Sequence, residues 1–472
     1  MKPGPGGETA KAEYGRFRTR WPRPSGYWIG LAAGLMPVSL WLGRTPAGLL
    51  GPVVLFALIG LLAAVDWAWG RRRLRHLDAV LLDMNRLNRG RKQDLPVHVV
   101  HRHGLNVPMD VALAAPRELG LTADTIRAPT PLKSGQWKRV DFQAQPTRRG
   151  QYTLEGIYVR LPTPARLWQL AAVRPCRATV RVFPNLKRER RVLSDFFLHR
   201  SRSGQHSQRL LGAGREFEEM RDYQTGDSFH DINWKASAHR SKLVTQLYRT
   251  ERTQEIYIAF DTSRLSSAPS VDRLERSADG EALAESVLER FIVATLVMSL
   301  VAGRQGDGVG FIAFNDKVDR YMRARPGADA QQAILSASFD LQTRPVAPRF
   351  DTLFTFIRQR LRRRALIFFL TDLRDPVVAE QFCNHVKLIT RRHLVCVIML
   401  RPQGFQPLFD GSAVDDVPGL YQRLAGHYHW HSLMQTQRRL QRQGVSFGLV
   451  DAAQLCPEVI NRYLDVKRRQ AL

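Results

Sequence analysis

The chain has 472 residues, with 71 Lys or Arg against 43 Asp or Glu, leaving a formal net charge of +28. That length exceeds what one compact core serves, so two or three domains are expected, and 44% hydrophobic residues exclude disorder as the default state. Four cysteines, Cys176, Cys383, Cys396 and Cys456, lie far apart without a CxxC pair, which excludes a disulfide framework and a zinc spacing and points to a reducing compartment.

Residues 1–24 form a basic tail, after which no charged residue occurs between Arg23 and Arg44, nor between Arg44 and Asp66. Each stretch holds about 20 residues, enough for one helix to cross ~30 Å of hydrocarbon. Trp21, Tyr27, Trp28 and Trp41 mark the ends of the first, and Trp67 and Trp69 close the second, as an interfacial aromatic belt requires. Gly43-Arg44-Thr45-Pro46 permits only a tight turn, so residues 25–70 are expected to form a transmembrane hairpin with helices over about 25–43 and 46–69. Lys2, Lys11, Arg16, Arg18, Arg20 and Arg23 precede it, and Arg71, Arg72, Arg73 and Arg75 follow. Cytoplasmic basic flanks therefore put both termini and the bulk of the chain in the cytoplasm. With no charge inside either span, the hairpin reads as an anchor and not as an ion pathway.

Residues 71–94 read as a basic juxtamembrane helix on the membrane surface. From 95 to 186 the texture changes to short runs, VHVVH (97–101), MDVALA (109–114), KRVDFQA (138–144) and GIYVRL (156–161), punctuated by Pro and Gly. Period-2 alternation between such breaks predicts a small β-sandwich, and no catalytic motif lies in it. Basic clusters at 187–191 and 358–364 match no RNA-recognition, zinc-finger or helix-turn-helix pattern, so membrane proximity accounts for the charge better than nucleic acid does.

Residues 214–240 combine Glu216, Arg221, Asp227 and Asp231 with Phe217, Tyr223 and Trp234. Charges leave water only when paired and hydrogen-bonded, so this density of aromatics predicts a buried or interfacial polar network. After residue 255 apolar strands alternate with helices. The strand candidates are 256–261, 308–314, 365–371, 393–400 and 445–451, with helices at 281–303, 328–340, 350–363, 377–391, about 428–443 and 457–467. That pattern means a doubly wound parallel α/β sheet covered on both faces, with ligands expected beyond the carboxyl ends of its strands.

The order of types from Gly214 to Ala238, G-x-E-F-x-x-x-R-x-Y-x-x-G-D-x-x-x-x-I-x-W-x-x-S-A, resembles the signature of the bacterial family called domain of unknown function 58. The segments 148–170 and 180–186 resemble that family's strand and its V-x-P-x-L exit. The resemblance assigns 187–254 to the family signature, with Glu216, Arg221, Tyr223, Gly226, Asp227 and Trp234 as its structural residues. His230 and His239 stand where the family has arginine, and Asn233 where it has aspartate; they read as tolerated substitutions. It further implies a von Willebrand factor A-like domain over 255–472, the inner membrane of a bacterium, and a MoxR-type AAA+ ATPase as partner.

In such domains a D-x-S-x-S motif, a distant Thr and a distant Asp hold Mg²⁺ through hard oxygens. Asp261, Ser263, Thr352 and Asp372 match that set, but Leu265 replaces the second serine, so any Mg²⁺ is expected to bind weakly or not at all. No G-x-S-x-G, H-E-x-x-H or Walker motif occurs. The leading expectation is thus a non-enzymatic membrane-tethered scaffold or adaptor for assembly or maturation of protein complexes, with residues 214–240 clamping the β-rich part to the α/β part. The alternatives are a basic membrane-associated nucleic-acid-binding protein and a hydrolase.

Overall fold

The computed structural model describes residues 18–19, 22–42, 50–81, 85–128, 130–186, 189, 211–225, 227–249, 254–276, 282–402, 404–405, 407 and 417–469. The turn expected at 43–46 lies outside them. The chain divides into two units. The first comprises Met1–Asn185, Arg273–Glu285 and Phe339–Leu341; the rest forms the second.

In the first unit, helix α1 (Gly26–Leu42) is followed by α2 (Leu50–Arg75). Among the described residues one helical stretch, Val53–Arg75, is long and apolar enough to cross a membrane. Helix α1 has 17 residues and contains Pro37. The end of α2 is tied to the β-structure that follows. Buried Asp66 accepts hydrogen bonds from the Thr163 hydroxyl and, at 2.8 Å, from the Ala165 N–H, while the Trp168 indole donates to the Ala63 carbonyl at 2.9 Å. The carboxylate at the end of the apolar run is therefore satisfied by a hairpin turn.

Beyond Arg75 the expected basic helix over 71–94 is absent. Strands β1 (Leu77–Leu81) and β2 (Asn85–Asn88) occupy that stretch. Leu77, Ala79 and Leu81 are buried while Asp78 and Val80 are only partly so, and this period of two is what a half-buried strand requires. The β-rich domain thus begins about 18 residues earlier than the sequence suggested. It continues through β3 (Gln93–His101), β4 (Asp110–Ala114), β5 (Thr125–Arg127), β6 (Trp137–Ala144), β7 (Gly150–Pro162) and β8 (Trp168–Phe183). One sheet has the order β1-β3-β6 and the other runs β8-β7-β4-β5, with β2 parallel to β8. Their inward residues, including Val97, Val99 and Phe142 from one and Val111, Val159 and Val180 from the other, form a single apolar core.

The second unit opens with an antiparallel pair, β9 (Leu211–Asp222) and β10 (Val244–Arg249), joined through the short helix α3 (Trp234–Arg240). Then come β11 (Glu255–Asp261), α4 (Val287–Arg304), β12 (Gly308–Phe314), β13 (Val318–Arg325), α5 (Ala328–Ser338), α6 (Phe350–Arg360), β14 (Ala365–Leu370), α7 (Pro376–His385), α8 (Lys387–Thr390), β15 (Leu394–Leu400), α9 (Val417–Arg442), β16 (Ser446–Val450) and α10 (Leu455–Arg468).

The sheet order is β13-β12-β11-β14-β15-β16, parallel except for the edge strand β13. Strands β12 and β14 are buried at every residue, because helices cover both faces. Phe350, Phe354 and Ile357 of α6, Phe382 of α7 and Leu440 of α9 fill one face against Tyr257, Ala259, Phe369 and Val397. Helix α4 packs against both α5 and α10 on the opposite side. The five predicted strands are all present. The sixth, β13, was not foreseen, because VDRYMRAR is half-exposed and carries no apolar run.

Candidate functional site

In an open doubly wound sheet the chain reverses its direction of winding at one place, and the carboxyl ends of the two strands there form a crevice. Here that place lies between β11 and β14. Asp261 ends β11, and Thr371-Asp372 follow β14. Asp261 is fully buried. One carboxylate oxygen accepts the Ser263 N–H at 2.7 Å and the other accepts the Thr371 hydroxyl at 3.2 Å. Burial, opposed by those hydrogen bonds, raises its pKa from 3.8 to about 6. Next to it, Thr262 donates its hydroxyl to the Phe314 carbonyl at 3.0 Å and accepts the Asn315 amide at 3.2 Å.

The structure therefore brings Asp261, Ser263 and Thr371 together. Asp372 also lies close enough for its charge to act on Asp261. Burial raises the Asp372 pKa too, opposed by Arg374. The Arg374 backbone N–H and guanidinium hold the two Asp372 oxygens at 2.9 and 2.6 Å. Thr352 is not brought into this group: it is exposed on α6, and its one recorded hydrogen bond goes to Asp351 at 3.5 Å. Leu265 packs on the apolar core, and Ser266 is buried with its hydroxyl unpartnered among the described residues. Leu265, in the place of the second serine of D-x-S-x-S, thus offers no ligand oxygen.

A divalent cation needs hard oxygens free to face it. The oxygens of Asp261 already accept hydrogen bonds, those of Asp372 are held by a guanidinium, and the fourth candidate lies elsewhere. Among the described residues no group of three His, Cys, Asp or Glu side chains could hold a metal ion. As arranged, Asp261, Ser263 and Asp372 are engaged in the protein's own hydrogen bonds, and Thr352 is not brought to them.

Beside Asp372 is a hollow of about 630 Å³. Asp372, Arg374, Arg401 and Asp451 supply its charge, Phe291, Phe405 and Trp430 its apolar wall. Arg401 pairs with Asp451 at 3.5 Å. Sequence reasoning missed Arg374, Arg401, Trp430 and Asp451. The one available signal for Arg374, Arg401 and Asp451 was their position just past strand ends, which is shared by many surface residues; Trp430 lies mid-way along α9 and carried none.

In the signature segment, the Arg221 guanidinium donates to Asp227 at 2.7 Å, and the other Asp227 oxygen accepts the Gln224 N–H at 3.0 Å and the Thr245 hydroxyl at 3.3 Å. Asn233 caps α3 by accepting the Ala236 N–H at 3.0 Å, and the Ser237 hydroxyl accepts the Val244 N–H at 2.9 Å. Asparagine can do this as well as aspartate, which explains the departure at 233. Tyr223 lies near Phe229, their ring centres 6.2 Å apart. His230 and His239 are exposed. The side chain of Glu216 and all of Gly226 lie outside the described residues. One expectation fails: Trp234 is 63% exposed and Phe229 71%, so these rings do not close a buried network. The polar bonds are local to the β9–α3–β10 hairpin.

Residues 219–410 match the model of a family described as Protein of unknown function DUF58. This segment belongs to that family. It takes in most of the β9–α3–β10 hairpin and the sheet through β15, and so includes both Asp227 and the Asp261–Asp372 crevice. A comparison with curated proteins finds no match. Among solved structures, the PilB minor pilin from Streptococcus sanguinis is similar at 10% identity, covering 77% of this chain and 88% of that one, with a TM-score of 0.30. The conserved hypothetical protein BatB from Bacteroides thetaiotaomicron follows at 16% identity, 46% and 99% coverage and a TM-score of 0.29. The VWA domain of SpRpn10 gives 9%, 44%, 95% and 0.27. Overlaps this loose carry no argument, and the architecture of the DUF58 segment rests on its own strand order.

Proposed function

We propose that this chain is a non-enzymatic, membrane-tethered adaptor whose α/β domain, von Willebrand A-like in character, engages a protein partner at the carboxyl edge of its sheet. The observation that carries this reading is the hollow past the carboxyl ends of β14, β15 and β16, beside the switch point. Its charged rim around an aromatic wall has the chemistry of a protein interface, where Arg, Trp and Phe are enriched. Mg²⁺ is not needed for that contact. Helices α1 and α2 serve as the tether, a hairpin in a bacterial inner membrane, and their basic flanks put both ends on the cytoplasmic side. The partner implied by the family resemblance is a MoxR-type AAA+ ATPase. The test is co-isolation of the full chain from membranes with such an ATPase. Arg374→Glu and Arg401→Glu should each reduce recovery of the ATPase while leaving the chain in the membrane. Undiminished recovery with both changes would remove the hollow from the interface.

A further inference from the structure

At the foot of α2 is a second hollow, of about 1010 Å³, formed wholly within the first unit. Its wall includes Arg72 and Arg73 from the last turn of α2, His76 just beyond it, His101 and His103 from the end of β3 and its loop, and Lys133. Arg166, in the turn between β7 and β8, completes it. Among the described residues no Asp or Glu lines this space. Arg72, Arg73, His76, His103, Lys133 and Arg166 have no carboxylate partner among the described residues. Four cationic side chains, Arg72, Arg73, Lys133 and Arg166, converge beside three imidazoles without an acid and repel one another, so the cluster calls for an anion from outside the chain.

The groups are held in place. The His76 and His103 rings lie 4.4 Å apart, centre to centre, and each is 6.5 Å from the His101 ring. Buried His101 is fixed by a 3.1 Å contact between its Nε2 and the Arg73 carbonyl. Burial, reinforced by the neighbouring imidazoles, holds its pKa below the ordinary histidine range. The loops that carry His103 and Lys133 are joined by paired hydrogen bonds between Leu105 and Leu132, both 2.8 Å. Arg166 has a left-handed backbone, φ 59°, which turns the hairpin tip.

The level of the hollow identifies the source of the anion. Asp66, docked on the hairpin turn, marks the end of the apolar run of α2. Arg72 and Arg73 lie about 10 Å further along the helix axis at 1.5 Å per residue. A bilayer's polar layer is about 5–8 Å deep on each side of the hydrocarbon, so the two arginine backbones stand just past its outer edge, within a side chain's length of the lipid phosphates. We propose that this hollow is a binding site for a phosphate-bearing anion, and that the phosphate belongs to an anionic lipid headgroup. The proposal rests on α2 being a membrane helix. Guanidinium groups supply forked donors for phosphate oxygens, and the imidazoles and Lys133 add single donors around them.

The test uses the full chain in nanodiscs of mixed phosphatidylcholine, phosphatidylglycerol and cardiolipin, with retained lipid measured by mass spectrometry. Enrichment of an anionic lipid is expected, falling about tenfold in the Arg72→Glu/Lys133→Glu variant. The variant Arg91→Glu/Arg117→Glu, with the same charge change outside the hollow, should retain it. A second arm compares melting of the detergent-solubilised chain in inorganic phosphate and in chloride at matched ionic strength. Hollow-dependent stabilisation by phosphate without lipid enrichment would keep the anion site but assign it to a soluble phosphate compound. Equal behaviour of the two variants in both arms would overturn the site. Release of the chain from membranes by carbonate would separately refute the membrane reading of α2.

Discussion

At the scale of single residues, Asp261 is the group whose environment is most demanding. Its pKa of about 6 in the folded chain exceeds the unfolded value of 3.8, so between those values the folded state holds a proton that the unfolded state has lost. Its contribution therefore favours folding at low pH and fades as pH rises toward 6, by about 3 kcal/mol in all, and is flat above that. Buried His393, lowered to about 4, acts in the opposite sense: stability falls as pH drops from 6.5 toward 4. The two trends overlap, so a difference measurement separates them. The stability of wild type relative to Asp261→Asn should decline between pH 4 and 6, and a flat difference would refute the assigned environment.

A second residue-scale cluster lies at the other end of the sheet. Asp307 accepts hydrogen bonds from the Tyr463 hydroxyl, from the Lys467 ammonium at 2.7 Å and from the Gln254 N–H at 3.1 Å. Asp307→Ala would leave all three without that acceptor and should cost about 2–4 kcal/mol in chemical denaturation. A loss below about 0.5 kcal/mol would mean that α10 is held by packing alone.

At the scale of elements, the edge pair β12–β13 depends on a close approach at Gly310. A Cβ built there would lie 2.5 Å from the Met322 carbonyl and 2.7 Å from the Ala324 nitrogen. Both are backbone atoms that cannot rotate away, so Gly310→Ala should destabilise the second unit by about 1–3 kcal/mol, seen as a lower melting temperature. In the β9–α3–β10 hairpin, Asp227→Ala removes the acceptor of three bonds and should cost about 1–3 kcal/mol. Exposed Trp234→Ala should stay within about 0.5 kcal/mol of wild type. Equal losses at 227 and 234 would contradict the exposed placement of the ring. The central strands were legible in sequence because burial on both faces turns them into unbroken apolar runs. Strand β13 was not, since an edge strand needs no such run. Strands β1 and β2 were misread as a helix because LDAVLLDMNRL also has apolar residues at helical spacing. Asp261 was legible as a carboxylate ending an apolar strand. Thr352 was not placeable, because a distant threonine has no local constraint tying it to the strand end.

At the scale of the whole molecule, the chain combines two apolar helices, a two-sheet β-domain and a doubly wound domain with its crevice at the switch point. Reporter fusions after Arg75 and after Leu472 should both read as cytoplasmic; a periplasmic signal from either would contradict the hairpin. Part of the basic excess that suggested nucleic acid lines the hollow at the foot of α2. The hollow beside Asp372 is proposed to receive a protein partner. Its most direct test is the affinity of the purified full chain, in nanodiscs, for a MoxR-type AAA+ ATPase from the same cell. Saturable binding that Arg374→Glu weakens about tenfold, with the melting temperature preserved, is the predicted result. Binding unchanged by Arg374→Glu, or no binding by the wild-type chain, would contradict it.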